Sequence, residues 1–187
     1  MTNPIISERL DLISMTPAFL SASLASERII AEQFIGVSIA PEWFAEQWLM
    51  KLRLDDVNRN PAYQPWSLRA VVLRERHLII GHIGFHSLPD PDYLAPIAPG
   101  GVEFGYTIYP EFRKNGYALE ASQAMIHWAH QTQCVTRFVL SISPNNVPSQ
   151  RIAERLGFKI VGSQMDDKDG PENIYCLQLA NPAPIND

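Results

Sequence analysis

Along this chain, short runs of strand-like residues alternate with stretches of helical period. Residues 8–15 read as a first strand. Thr16 suits a helix cap with Pro17 at the first helical position, and that helix continues to about Ala25. Pro41 opens a second helix, in which Phe44, Trp48 and Leu52 recur every fourth residue with Ala45 and Leu49 alongside. It should end near Asp56. The period then changes. Residues 66–73 and 78–88 are rich in β-formers, and the short link Glu75-Arg76-His77 predicts a hairpin. Residues 89–101 hold four prolines and the pair Gly100-Gly101, which predicts a mobile loop. Residues 102–109 read as a strand. Residues 115–133 read as a helix with Ala118, Ser122, Met125 and Ala129 on one face. Residues 138–143 alternate as a strand, 146–156 form a helix ended by Gly157, and 158–165 and 173–179 close the chain as strands around a polar turn at 166–170. This order predicts an α/β (α+β) fold with a mixed sheet flanked by helices. The strand–helix–strand unit over 102–143 should be a right-handed parallel crossover.

Composition narrows the picture. A length of 187 residues suits one domain over 1–187, and 46% apolar with 19% charged residues is ordinary for a globular chain. The net charge of −5 argues against non-specific nucleic-acid binding and suits a cationic ligand such as an amine. Cys134 and Cys176 are too few for a disulfide framework, so both are expected to be buried and reduced. The first six residues lack the basic and apolar blocks of a secretory signal, and no run of about 18 apolar residues exists. The expectation is a cytoplasmic protein with no membrane partner.

The chemistry concentrates in Val102-Glu-Phe-Gly-Tyr-Thr-Ile-Tyr-Pro110 followed by Glu-Phe-Arg113-Lys-Asn-Gly116-Tyr-Ala118. This is a strand, a tight loop and a helix start. Gly116 lets backbone approach a ligand closely. Successive N–H groups of the loop and the helix N-terminus can cradle an anion, and Arg113 and Lys114 add charge. The Gly-Lys-Ser/Thr ending of a Walker loop and the G-x-G-x-x-G dinucleotide pattern are both missing.

Arg113-Lys-Asn-Gly116-Tyr-Ala118 resembles the R/Q-x-x-G-x-G/A signature by which GNAT acetyltransferases hold the pyrophosphate of coenzyme A. Glu103-Phe-Gly105-Tyr106 resembles the strand before that loop. Ser143-Pro-Asn-Asn146-Val-Pro-Ser149 with Glu154-Arg-Leu-Gly157-Phe158 resembles the second conserved block of the family. Glu8-Arg9-Leu10-Asp11-Leu12 is similar to the first strand of the ribosomal-protein-alanine N-acetyltransferase (RimJ/RimL-like) branch. These matches keep the family order and span most of the chain.

The resemblance implies the acyl-CoA N-acyltransferase fold, with a mixed, mostly antiparallel central sheet. It implies acetyl-CoA as cosubstrate and transfer to a primary amine, either a protein N-terminus or a small molecule. Glu103 is the expected base, taking the proton that an amine of pKa near ~10.4 must lose. Backbone N–H groups of Tyr106, Thr107 and Ile108 would bind the thioester carbonyl as its charge develops. Arg113 and the N–H groups of Lys114, Asn115, Gly116, Tyr117 and Ala118 would hold the pyrophosphate, and Asn146 the pantetheine arm. Many family members place a tyrosine four residues before the Gly-Phe pair as general acid. Ala153 stands there in this chain, so the acid role moves to Ser149.

Plainer roles compete. Glu103 suits a solvated strand position, Asn146 and Ser149 suit helix capping, Gly116 a simple turn and Tyr106 a cross-strand aromatic. Trp43 and Trp48 suit a core more than a substrate platform. His82 with His86, and His127 with His130, share a face in pairs, but neither pair gains a third ligand at metal spacing, so no metal is expected. His82 or His86 could line an acceptor pocket. A catalytically silent CoA-binding module and a protein binding another phosphate are the competing functions. A homodimer is left open.

Overall fold

The computed structural model describes residues 2–166 and 170–182. Most of the turn predicted at 166–170 falls at 167–169 and lies outside them. Two compact units emerge, Met1–Phe85 with Tyr106–Ala124, and His86–Gly105 with Met125–Asp187.

In the first unit, β1 (Ile5–Ile6), β2 (Leu10–Ser14), β4 (Arg69–Leu73) and β5 (Leu78–Phe85) pair antiparallel in succession, and β3 (Ser38–Ile39) runs parallel to β5. Leu10 and Leu12 alternate inward from β2 and are fully buried. The predicted cap of α1 (Pro17–Leu24) forms: Thr16 Oγ1 accepts from the Phe19 amide at 3.3 Å. The helix α2 (Arg28–Ile35), stopped by Gly36 at φ 80°, was not foreseen. It is only eight residues long, and it turns Ile29 and Phe34 outward while Ala31 and Ile35 are buried.

The helix predicted from Pro41 is broken. Pro41–Ala45 is a 3-10 turn, and α3 (Gln47–Arg59) restarts after Glu46. The tighter turn resets the phase of the helix. Met50, Arg53 and Val57 face inward instead of the predicted Trp48 stripe, leaving Trp48 exposed while Trp43 is fully buried.

In the second unit, β7 (Arg137–Ile142) and β9 (Gly170–Gln178) are antiparallel, as are β9 and β8 (Lys159–Asp166). β6 (Val102–Ile108) meets β7 in the parallel sense predicted, with Glu103 opposite Val139. The connection between them is α4 (Tyr117–Gln133), and α5 (Val147–Arg155) follows β7. Both β6 and α4 pass from one unit into the other along the chain. The arrangement is thus mixed and mostly antiparallel, with five α-helices among the described residues.

Two expectations fail here. The segment 89–101 is anchored: Leu94 and Ala98 are buried with Val139 and Ile174, and Asp90 Oδ1 accepts from the Gly100 amide at 2.7 Å. Its prolines shape a packed turn, and its apolar residues supply the anchor. The cysteines are not core residues either. Cys134 is exposed in a left-handed turn just past α4, and Cys176 is half-buried at the margin of that same cluster; both are free thiols. Among the described residues no helix is long and apolar enough to cross a membrane.

Candidate active site

The loop 113–118, expected from the sequence to cradle an anion, lies in the first unit. Lys114 at φ 67° and Gly116 at φ 82° both turn left-handed, which gathers amide groups on one side of the chain. Lysine in that region is uncommon and is held by its neighbours. Asn115 Nδ2 donates to the carbonyls of Phe112 and Arg113, each at 3.1 Å. Arg113 Nε donates to Ile108 O at 2.8 Å, tying the loop back to the end of β6. The Gly116 carbonyl accepts from the Glu120 amide and so opens α4 at Tyr117 and Ala118, whose N-terminal amides lack helical partners. Upstream, Tyr106 and Thr107 are half-buried and Ile108 is buried. A Cβ on Gly81 would stand 2.1 Å from Thr107 O, so glycine is required where β5 faces that stretch.

Arg9 braces this loop, a role the sequence did not reveal beyond its place in the first-strand match. Its Nη1 donates to Asn115 O at 3.0 Å, and its guanidinium lies 4.6 Å from the Tyr117 ring centre. Its amide and Nε both donate to Glu120, at 2.7 Å each, and Ser7 Oγ donates to the same carboxylate. Burial raises the pKa of Glu120, but the hydrogen bonds of Arg9 and Ser7 outweigh it and hold the carboxyl below the usual range.

Glu103 lies in the second unit and is not solvated; its side chain is 10% exposed. Ser141 Oγ donates to it at 2.6 Å, and His86 Nδ1 stands 3.6 Å from its other oxygen. The parallel register of β6 and β7 explains this meeting. Glu103 is paired with Val139, and Ser141 is the next residue on the same face of β7. The His86 amide donates to Glu103 O at 2.8 Å, which fixes the histidine beside the strand. Gly105 makes room for the ring, since a Cβ there would stand 2.9 Å from His86 Nε2. Burial opposes the charged carboxylate, but His86, Ser141 and Tyr93 together hold its pKa below the usual range. Ser141 and Tyr93 were not foreseen: Ser141 reads as an ordinary strand serine, and Tyr93 sits in the segment taken for a mobile loop.

Asn146 is the N-cap of α5, its Oδ1 accepting from the Ser149 amide at 3.3 Å. The capping role is therefore real for Asn146, and Ser149, half-buried, contributes its backbone to it. Ala153 is fully buried. The two histidine pairs do not act as pairs: His82 Nε2 faces Glu46 Oε1 at 3.7 Å, while His130 Nε2 contacts the Ala180 carbonyl. Among the described residues no three His, Cys, Asp or Glu side chains gather as a metal set.

The acetyltransferase (GNAT) domain family matches residues 14–159. The chain belongs to the GNAT acetyltransferase family. The family match takes in residues of both units, including the whole of β6 and α4. An uncharacterized N-acetyltransferase of Bacillus subtilis (strain 168), YjdG, is 32% identical over 101 residues, 54% of this chain and 54% of the relative. The chain thus spans about half the length of the curated relatives it matches. The crystal structure of a GNAT-family acetyltransferase from Bacillus anthracis aligns over 94% of this chain and 98% of its own, with TM-score 0.61 and 21% identity. RimL, a ribosomal L7/L12 alpha-N-protein acetyltransferase solved in complex with coenzyme A, aligns over 95% and 98%, with TM-score 0.64 and 15% identity. These two likenesses show the GNAT fold.

Proposed function

We propose that this chain transfers the acetyl group of acetyl-CoA to a primary amine by direct attack. The observation that carries the reading is the Lys114–Gly116 turn feeding α4, an amide cradle at the position of the family's pyrophosphate signature. The cradle fits a diphosphate: its two left-handed residues present amides, Arg113 and Lys114 are exposed cations beside it, and Arg9 neutralises Glu120, the nearest acid of the helix start. Asn146, already capping α5, would also hold the pantetheine arm.

The amine nitrogen forms a bond to the thioester carbon as the carbon–sulfur bond breaks. Amides of Tyr106 to Ile108 would receive the carbonyl oxygen as it gains charge. Glu103 takes the ammonium proton. Its lowered pKa keeps it ionised and ready, and also makes it a weak final holder of that proton. His86, 41% exposed and 3.6 Å away, offers the route to solvent. Ser149 would donate a hydrogen bond or proton to the departing thiolate. The RimL likeness supports an N-terminal amine as one acceptor class, beside small amines.

The test is thiol release from acetyl-CoA with a panel of amines, wild type against Glu103→Ala, with CoA binding followed by calorimetry. Amine-dependent release that collapses in the variant while CoA still binds is expected. Tight CoA binding without release from any amine would favour the silent CoA-binding module, the reading that the buried Ala153 supports.

A further inference from the structure

Within the first unit, Tyr109 Oη and His82 Nε2 are among several buried polar atoms with no hydrogen-bond partner among the described residues, and these two lie on rings that touch. Tyr109 is 2% exposed and His82 6%. Buried polar groups are nearly always satisfied, so an adjacent pair is a reason to look for a ligand. Their rings meet edge to face with centres 6.4 Å apart, and Trp43 closes on His82 at 6.0 Å. Trp43 has a partner for its own donor, Ser23 Oγ at 2.9 Å. At the rim stands Glu46, whose carboxylate does not cap α3 although Glu46 holds the cap position. It lies 3.7 Å from His82 Nε2, too far for a hydrogen bond and close enough for one donor to serve both. Burial, together with the charges of Glu46 and Glu42, pushes the Tyr109 phenol far above its ordinary range, so the hydroxyl sits protonated in a negative potential.

We propose that Tyr109 Oη, His82 Nε2 and the Glu46 carboxylate form a receptor for an alkylammonium group, the second, non-reacting amine of a diamine acceptor. An ammonium carries three N–H donors, and the three groups offer three acceptors, with the imidazole proton on Nδ1. Two carboxylates nearby stabilise the charged form of a bound amine. That opposes the deprotonation needed for attack, so this group of acceptors suits the amine that stays charged and not the one that reacts. Tyr109 directly follows Ile108, one of the residues proposed to face the thioester carbonyl. The diamine assignment rests on the acetyltransferase reading; the ammonium receptor does not.

Calorimetry of the full chain with n-butylamine and with n-butanol reads the receptor alone. The amine is expected to bind on the order of tenfold tighter or more, as for one or two charge-assisted hydrogen bonds. Glu46→Gln and Tyr109→Phe should each erase most of that preference. Tyr109→Phe should melt at or above the wild-type temperature, because it removes a buried hydroxyl that the fold leaves without a partner. Equal binding of amine and alcohol, a preference untouched by both variants, or a marked drop in melting temperature in Tyr109→Phe would each overturn the receptor. Acetyl transfer to a four-carbon diamine should exceed transfer to the amino alcohol of the same length by a similar factor in kcat/KM, lost through KM in Tyr109→Phe. Equal transfer to both overturns the diamine assignment. Selective amine binding without thiol release from any amine would instead sink the acetyltransferase reading and leave the receptor standing.

Discussion

Glu103 and Glu120 are both partly withdrawn from water, and both are held below the usual carboxylate range, but their partners differ in kind. Glu120 faces an arginine that stays protonated at any working pH, and that residue's amide and guanidinium, with Ser7, all donate to it. A carboxylate fixed in this way braces structure, here the start of α4 and the loop before it. Glu103 faces a histidine and two hydroxyl side chains, groups that can pass a proton on. A lowered pKa alone therefore does not mark a catalytic acid or base; what separates the two carboxylates, and what the proposed function uses, is the exchangeability of the partner's proton.

The sharpest way to break this comparison is to neutralise each carboxylate. Glu103→Gln should cost on the order of 100-fold to 10,000-fold in turnover, the range of general base catalysis, with little change in affinity for coenzyme A. Glu120→Gln should leave turnover nearly intact, lower stability by about 1–2 kcal/mol through the weakened Arg9 contacts, and raise KM for acetyl-CoA. Steady-state kinetics and thermal melts of the two variants side by side decide the matter. If Glu120→Gln loses turnover as severely as Glu103→Gln, the distinction is wrong.

A smaller effect should come from Gly105→Ala. The new methyl would stand 2.9 Å from His86 Nε2 and force the ring to move from Glu103. Turnover should fall on the order of tenfold, and its dependence on pH should shift, because the route for the proton is disturbed while the carboxylate remains. Unchanged pH–rate profiles would remove His86 from the path.

The smallest effect concerns acid stability. The folded pKa of Glu103 lies below its unfolded value, so its contribution is complete above about pH 4.3 and is lost as the pH falls through the folded pKa. Denaturant unfolding should show wild type losing its advantage over Glu103→Gln between about pH 5 and pH 3. A constant difference across that window would mean that Glu103 has no native partners worth the name.

Much of this was legible in the residues themselves. Thr16-Pro17 starts a helix and Gly157, at φ 88°, follows the end of another, because caps and left-handed turns are local chemistry. Gly116 was legible for the same reason. The phase of α3 was not, since a single 3-10 turn before Glu46 rotated everything after it. The helix α2 was hidden by brevity and outward-facing isoleucines. Segment 89–101 was misjudged because proline count speaks of turns and says nothing of whether Leu94 and Ala98 find a core.

By itself, then, the sequence determined most of the element order, the left-handed turn at Gly116 and the family, all of which depend on residues close together along the chain. Tertiary structure alone decided which partners each polar group received. It brought Ser141 and His86 to Glu103, Arg9 to Glu120 and the 113–118 loop, and Glu46 to the buried face of His82. Those pairings join residues far apart in sequence, and they arise from strand register and helix phase, which no local pattern encodes.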